Sequence, residues 1–269
     1  MSLAVDGISL IHEKMLAVLK KVDDLCQKNG ISYFLDGGSC IGAIRHKGFI
    51  PWDDDMDFGV PREFFDELPK VLERELPSRY KCRTIYNSQN VILPFYKIED
   101  TLTHCEMDEF SGAERDSLGI NIDIFPLDKC NIDDTKLKCV LWLVDKYARI
   151  YTGAAHGNKL NNFIKAFLRF IIPFSKITLY KFIENKSKSL PKGDYLGNLY
   201  GRWKKKEIVP KEWYGDGHRY KFEDLELVGF ANYDKYLKQM YGNYIELPPI
   251  EKRTTHAKNV LWRGEGDIL

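Results

Sequence analysis

The sequence predicts an α+β protein, built as a mixed sheet with flanking helices and a helical insertion. Three observations lead there. Short β-prone runs alternate with helical periodicity up to Pro126, helical patterns follow beyond it, and a turn-rich aromatic stretch runs from Trp213 onward. With 269 residues, 44% hydrophobic and 29% charged, the chain can bury one large domain with a helical elaboration. The expected spans are 1–128 for the core, 129–212 for the helical insertion or lid, and 213–269 for a segment that packs back on the core.

Ile8, Ile11, Met15, Val18, Val22 and Leu25 recur at helical spacing, and Asn29-Gly30 is a left-handed stop. Ile31 to Leu35 reads as a short strand that ends in the turn Asp36-Gly37-Gly38-Ser39, with a short helix over Cys40 to Lys47 closed by Gly48. A strand over Asp55 to Val60 follows, then Pro61 and an amphipathic helix from Arg62 to about Leu76. Further strands are expected at Tyr80 to Tyr86, Leu93 to Ile98, Leu102 to Glu106 and Gly119 to Phe125, with Glu99-Asp100 as a hairpin turn. Helices are expected over Asp133 to Tyr151, Asn161 to Ile171, Ile177 to Ser187 and Gly193 to Lys205, and again near Tyr233 to Tyr241 before the Pro248-Pro249 break.

Charge excludes one class of partner. Lys plus Arg number 40 against 39 Asp plus Glu, so the balance gives no reason to expect nucleic acid. The six cysteines form no C-x-x-C pair, which fits reduced thiols in a cytoplasm and leaves no zinc-ligand spacing. The N-terminus does not read as a signal peptide. The most apolar stretch, Phe163 to Tyr180, is broken by Lys165, Arg169, Pro173 and Lys176 and is not a membrane span. A cytoplasmic protein is expected.

The chemistry is carried by acids. In Trp52 to Val60, strand alternation sets Asp55 and Asp57 on one face and Met56 and Phe58 on the other. In Gly119 to Phe125 the same alternation sends Ile120, Ile122 and Ile124 to a core and leaves Asn121 and Asp123 opposite. If the two strands are neighbours, Asp55, Asp57 and Asp123 crowd one site and require a cation, for which Mg²⁺ or Mn²⁺ is the natural choice. Such ions serve in-line displacement at a nucleotide phosphate, with Asp123 nearest the acceptor oxygen as its base. The turn Gly37-Gly38-Ser39 allows backbone N–H groups to approach a phosphate, and Ser39 adds a side-chain donor. Taken singly, acid runs are usually solvated loops and Gly-Gly-Ser is usually only a turn; Asp53 and Asp54, ahead of the strand, suit that bland reading. A structural carboxylate at a strand end is the bland reading of Asp123.

Leu35-Asp36-Gly37-Gly38-Ser39, Gly42-Ala43-Ile44-Arg45-His46 and Phe49-Ile50-Pro51-Trp52-Asp53-Asp54-Asp55-Met56-Asp57 resemble the LicD family. The resemblance extends to Tyr96-Lys97-Ile98, to Ile122-Asp123-Ile124-Phe125-Pro126-Leu127-Asp128, and to Tyr241-Gly242 through Leu247-Pro248-Pro249 with Arg253 and His256. It implies a nucleotidyltransferase-like fold, donor phosphate at Gly38 and Ser39, metal at Asp55, Asp57 and Asp123, and a CDP-activated donor such as CDP-choline. Arg45 and Lys97 are then candidate donor-phosphate contacts, and Asp54, Arg253 and His256 candidate acceptor or phosphate contacts. Surface ion pairing is the bland reading for the basic residues, and His46 is assigned to structure. Tyr33, Tyr96, Trp203 and Trp213 are the aromatic residues available to a choline group.

From Lys159 to Lys192 eight basic residues face a single acid, Glu184, among Phe163, Phe167, Phe170 and Phe174. This stretch suits peripheral contact with an anionic membrane presenting a lipid-linked glycan, or equally a helical lid with a solvated face. The expected function is metal-dependent transfer of phosphorylcholine or a similar phospho-alcohol from a CDP donor to a hydroxyl of a cell-surface glycan. The alternatives are attachment of a nucleotide to an acceptor and nucleotide binding without chemistry.

Overall fold

The computed structural model describes residues 5–88, 91–107, 118–151 and 174–262. Helix α1 (Val5–Asn29) buries Ile11, Met15, Val18, Leu19 and Val22 against the main core, and Gly30 at φ +63° ends it as its sequence predicts. Strand β1 is only Phe34–Leu35, because the N–H of Ile31 still closes the helix end on the carbonyl of Cys26.

Helix α2 (Gly37–Ile41) begins three residues earlier than expected and continues into a π-turn over Gly42–His46. Asp36 explains the shift: its carboxylate accepts the Gly37 N–H and caps the helix. The left-handed closing position falls on Lys47 at φ +61°, not on Gly48. Glu223 fills the space beside Gly48 and accepts the N–H of Phe49, while its own N–H holds the Lys47 carbonyl at 2.7 Å.

Strand β2 (Asp57–Pro61) leads into helices α3 (Arg62–Phe65) and α4 (Leu68–Glu75), where one continuous helix was expected. Pro69 inside the first turn of α4 starts a new helix rather than extending the old one. Strands β3 (Tyr80–Arg83), β4 (Tyr96–Asp100), β5 (Thr103–Met107) and β6 (Asn121–Cys130) follow. Glu99 and Asp100 belong to β4 and do not form a hairpin turn with β5. Their buried carboxylates are held by Arg83 and Arg79, and β4 pairs with β3 and β6 instead.

Helices α5 (Thr135–Tyr151) and α6 (Lys176–Lys188) lie near the expected positions, while the helix expected over Asn161 to Ile171 falls outside the described residues. The expected helix over Gly193 to Lys205 is replaced by strand β7 (Tyr195–Asn198) and a following turn, so residues 129–212 also contribute to the sheet. Gly193 and Gly197 permit the backbone of Cys130 and of Glu207 and Ile208 to approach more closely than any side chain would allow. Strand β8 (Ile208–Pro210), the hairpin β9 (His218–Phe222) and β10 (Leu225–Gly229), helix α7 (Tyr233–Tyr241) and strand β11 (Ala257–Trp262) complete the described chain.

The main sheet runs β1-β2-β6-β4-β3, with β7 on the remaining length of β6 and β8 beyond it. Among the described residues only β2 and β6 pair in parallel, so this is a mixed sheet in an α+β fold. Pro126 lies inside β6 where the strand changes partner: β4 pairs as far as Ile124, and β7 takes over at Leu127. A residue without an N–H is tolerated there because neither antiparallel neighbour calls on it. Ile98, Ile122 and Ile124 are fully buried at the centre. A second core under α5 and α6 gathers Leu137, Val140, Tyr180 and Ile183. Arg62 and Asp128 tie α3 to β6 by two hydrogen bonds of 2.8 and 2.7 Å. All six cysteines are free thiols, and among the described residues no helix is long and apolar enough to cross a membrane.

Candidate active site

The two strands expected to bring Asp55, Asp57 and Asp123 together are neighbours. Asp57 on β2 stands opposite Asp123 on β6 in parallel register, and the Asp123 N–H binds the carbonyl of Met56 at 2.8 Å. Alternation buries Met56 and Phe58 to 1% exposure each and turns the acids to the other face. The Asp36 N–H binds the Asp57 carbonyl at 3.0 Å, which brings the glycine segment alongside.

The glycine segment is the first turn of α2. Gly37 sits at φ +51°, and a Cβ there would lie 3.4 Å from the Tyr241 hydroxyl and 3.6 Å from Asp57 Oδ2. A Cβ on Gly38 would lie 3.0 Å from Asp53 Oδ2. Gly38 therefore lets a carboxylate close over the turn, while at Gly37 it is the positive φ that calls for glycine. The Gly37 N–H is already taken by Asp36 Oδ1 and the Tyr236 hydroxyl, each at 2.9 Å. Ser39 is buried, and its hydroxyl accepts the Asp57 N–H at 2.8 Å, so it positions the acid directly.

Asp53, read from sequence as a solvated loop residue, belongs to the cluster. It hydrogen-bonds Asp55, and burial together with the Asp55 charge pushes its pKa up to about 8. Asp55 is exposed as a residue, but its carboxyl turns toward Asp53; the water lost there raises its pKa, against the pull of that bond and of His256 and Lys97. Asp57 is raised well above the carboxylate range by burial and then by Asp55, Asp123, Asp36 and Asp53. Burial also raises Asp123, against the opposing charge of Lys97. Lys97 Nζ donates to Asp123 Oδ1 at 2.5 Å and to Asn121 Oδ1 at 3.1 Å.

The remaining expected residues are placed around this cluster. Asp54 is 4% exposed, with one oxygen accepting the Ala257 N–H and the other without a hydrogen bond among the described residues, and its charge acts on Asp53 and Asp55. Burial there makes it an anchor for β11 and keeps it from an acceptor. Arg45 donates to the carbonyls of Tyr244 at 2.6 Å and Glu246 at 3.3 Å. Arg253 lies 4.8 Å over the Trp52 ring and donates to the Pro248 carbonyl at 2.9 Å. His46 meets the edge of the same ring, and His256 is close enough to Asp55 to favour its charged form.

Of the four aromatic candidates, Tyr33 is buried against Phe58 and Tyr96 stacks on Phe65. Trp213 packs beside Lys235. Trp203 is 48% exposed and meets the ring of Tyr241, whose hydroxyl adjoins Gly37.

Four further residues were not singled out from the sequence. Asp36 caps α2 and is bonded by Tyr236; its place before a helix start is a legible N-cap signal. Tyr241 and Glu207 adjoin the same acids, and Glu207 is pushed up to about 8 by burial and then by Asp36. A lone acid after Lys204-Lys205-Lys206 carries no such signal.

Carboxylate oxygens crowded this closely form a donor set suited to a hard divalent cation. Among the described residues, however, no three His, Cys, Asp or Glu side chains close on a common point. Asp53 is bonded to Asp55 and Asp123 to Lys97, and these pairs must open before the oxygens can converge on an ion.

Residues 30–87 match a family model described as LicD/FKTN/FKRP, nucleotidyltransferase domain. That span holds the glycine turn and the acid loop but not Lys97 or Asp123. The chain is similar to the lipopolysaccharide cholinephosphotransferase LicD of Haemophilus influenzae, 29% identical over 260 residues that cover 91% of this chain and 95% of that protein. It is 55% identical over 31 residues to the ribitol 5-phosphate transferase FKRP of Homo sapiens, covering 12% of this chain and 6% of that protein. An uncharacterised protein of Rickettsia typhi is 32% identical over 99 residues, 35% of this chain and 32% of the other.

Proposed function

We propose, with membership of the LicD family as the premise, that this chain transfers a substituted phosphate from an activated donor to a glycan hydroxyl. The observation that carries the reading is the pairing of Asp57 with Asp123 beside the glycine turn. The names of the two transferases to which the chain is similar supply the class of group moved, cholinephosphate or ribitol 5-phosphate. A CDP-activated donor, CDP-choline or a relative, is the finer form of the proposal.

Asp55, Asp57 and Asp123 are the residues that would hold Mg²⁺ or Mn²⁺, which supplies charge neutralisation at the donor phosphates and at the leaving oxygen. The protein's own groups do the rest. Donor phosphate lies against Gly37 and Gly38, where only hydrogen atoms separate ligand from backbone. Asp123 takes the proton of the attacking hydroxyl once Lys97 leaves its oxygen for the charge of the donor phosphate. The acceptor oxygen bonds to the donor's substituted phosphorus, the bond to the nucleotide phosphate breaks, and CMP leaves. Arg45 and Arg253 stand at the side of the site as contacts for phosphate charge. The glycan acceptor, free or lipid-linked, is met on the cytoplasmic side.

The test is product analysis. The chain is incubated with CDP-choline, CDP-ribitol or CDP-glycerol and a glycan acceptor, with Mg²⁺ or with EDTA. Metal-dependent release of CMP with a phospho-substituted product supports the proposal. Release of pyrophosphate from a nucleoside triphosphate with a nucleotidylated product would replace it, and nucleotide binding without turnover would reduce the chain to a binding protein.

A further inference from the structure

Helices α5 and α6 fill the second core with their inward sides and are packed against each other, Tyr147 of α5 donating to the carbonyl of Lys176 at the start of α6. Their outward sides carry large apolar groups that a solvated lid does not need. Trp142 is 58% exposed on α5, Phe182 is 48% exposed on α6, and Phe174 just ahead of α6 is 57% exposed. Tyr86, 58% exposed, lies against Tyr180 of α6.

Lysines are interleaved with these rings. Lys146 Nζ lies 5.8 Å over Trp142, Lys186 Nζ 5.4 Å over Phe182, and Lys181 Nζ 5.7 Å over Tyr86. The acids of the two helices are committed elsewhere. Asp145 binds Arg149 and Lys204, and Glu184 binds Lys188 and faces Arg62. Among the described residues, no carboxylate pairs with Lys138, Lys146, Lys181 or Lys186. Among the described residues the surface is thus positive without neutralisation and apolar without a covering.

We propose that the outward faces of α5 and α6 form a peripheral docking surface for an anionic lipid bilayer. Lysine stems lie along apolar surface while their ammonium groups reach phosphate headgroups, and aromatic rings seat at the headgroup boundary. A protein partner of ordinary interface composition would favour arginine over lysine at such a patch, whereas a fluid anionic surface makes no demand for fork geometry. The inference does not rest on the transferase reading.

The experiment is co-sedimentation of the full chain with phosphatidylcholine vesicles, with or without about a quarter phosphatidylglycerol, at low and high salt. Binding to the anionic vesicles only, lost at high salt, is expected. Lys146→Glu with Lys186→Glu should weaken it by more than about tenfold, since each lysine near such a surface is worth about fivefold. Trp142→Ser with Phe182→Ser should weaken binding at constant charge. All four positions are solvent-facing, and an unchanged melting temperature verifies that each variant is folded. No binding to anionic vesicles, or equal binding by the charge-reversed variant, overturns the proposal. So does a concentration-dependent dimer in light scattering that Trp142→Ser dissociates, which would assign the surface to a second copy of the chain.

Discussion

Asp57 and Asp123 face each other across a parallel strand pair of the sheet, yet only Asp123 has a cationic partner among the described residues, Lys97 at 2.5 Å. The other acids close to Asp57 add negative charge instead of cancelling it. Such a cluster costs stability in the protein alone and would gain it from the proposed cation.

Replacing Asp57 with Asn should therefore separate function from folding. The variant is expected to melt at or above the temperature of the parent in EDTA, because a carboxyl that the fold keeps from ionising gives way to a neutral amide. It should lose the stabilisation that Mg²⁺ or Mn²⁺ gives the parent, and transfer should fall by about a hundredfold to a thousandfold. Thermal melts with and without metal, beside a CMP-release assay, read all three. Full turnover in Asp57→Asn would remove it from the proposed mechanism.

The pKa directions give a pH dependence with a fixed sign. The folded-state pKa of Asp53 is near 8 and its ordinary value is 3.8, so between them the folded chain binds more protons than the unfolded one. Its contribution to stability is complete below about pH 4 and is lost as pH rises through about 8. Across this window Asp57 acts in the same direction. In EDTA, Tm should fall between pH 5 and 8.5. Saturating Mg²⁺ should flatten the slope, because the ion replaces the protons. A Tm slope unaffected by metal would count against cation binding at these acids.

Asp54 should behave unlike its neighbours. Asp54→Ala removes the acceptor for the Ala257 N–H and is expected to destabilise the chain by about 1–3 kcal/mol in urea denaturation. Metal-induced stabilisation should survive. A loss of metal response with unchanged stability would place Asp54 in the site after all.

The two glycines should fail in different ways. Gly37→Ala puts a side chain at φ +51° and is expected to cost about 1–2 kcal/mol of stability. Gly38→Ala has no such strain, but its methyl group meets Asp53 Oδ2 at 3.0 Å. That variant should melt near the parent and bind CDP donors more weakly, as read by nucleotide-induced shifts in Tm.

Much of this was legible where a local pattern and a tertiary requirement coincide. The ends of α1 and α7 follow from apolar spacing, aided at α1 by a glycine stop, and Asp123 stood out because its strand is otherwise apolar. Carrying the two-residue alternation back from Asp57 through Asp55 reaches Asp53, while Asp54 falls with Met56 and Phe58 on the buried side. The alternation thus continues ahead of the strand proper. Gly193 and Gly197 read as the start and interior of a helix, although their purpose is contact with backbone ten or more residues away. Glu207 and Tyr241 reach the site only through the path of the whole chain.

The ties that close the site span very long stretches of chain. Tyr236 bonds Asp36 across 200 residues, and Ala257 bonds Asp54 across 203. During synthesis the glycine turn and acid loop emerge early but must wait for α7 and β11 before these bonds form. Pairings this remote are slow to find, because loop closure precedes the contacts that reward it. A nascent chain would thus fold much of its sheet before its acids are locked in place, and the site would be completed in one late step rather than growing in step with length.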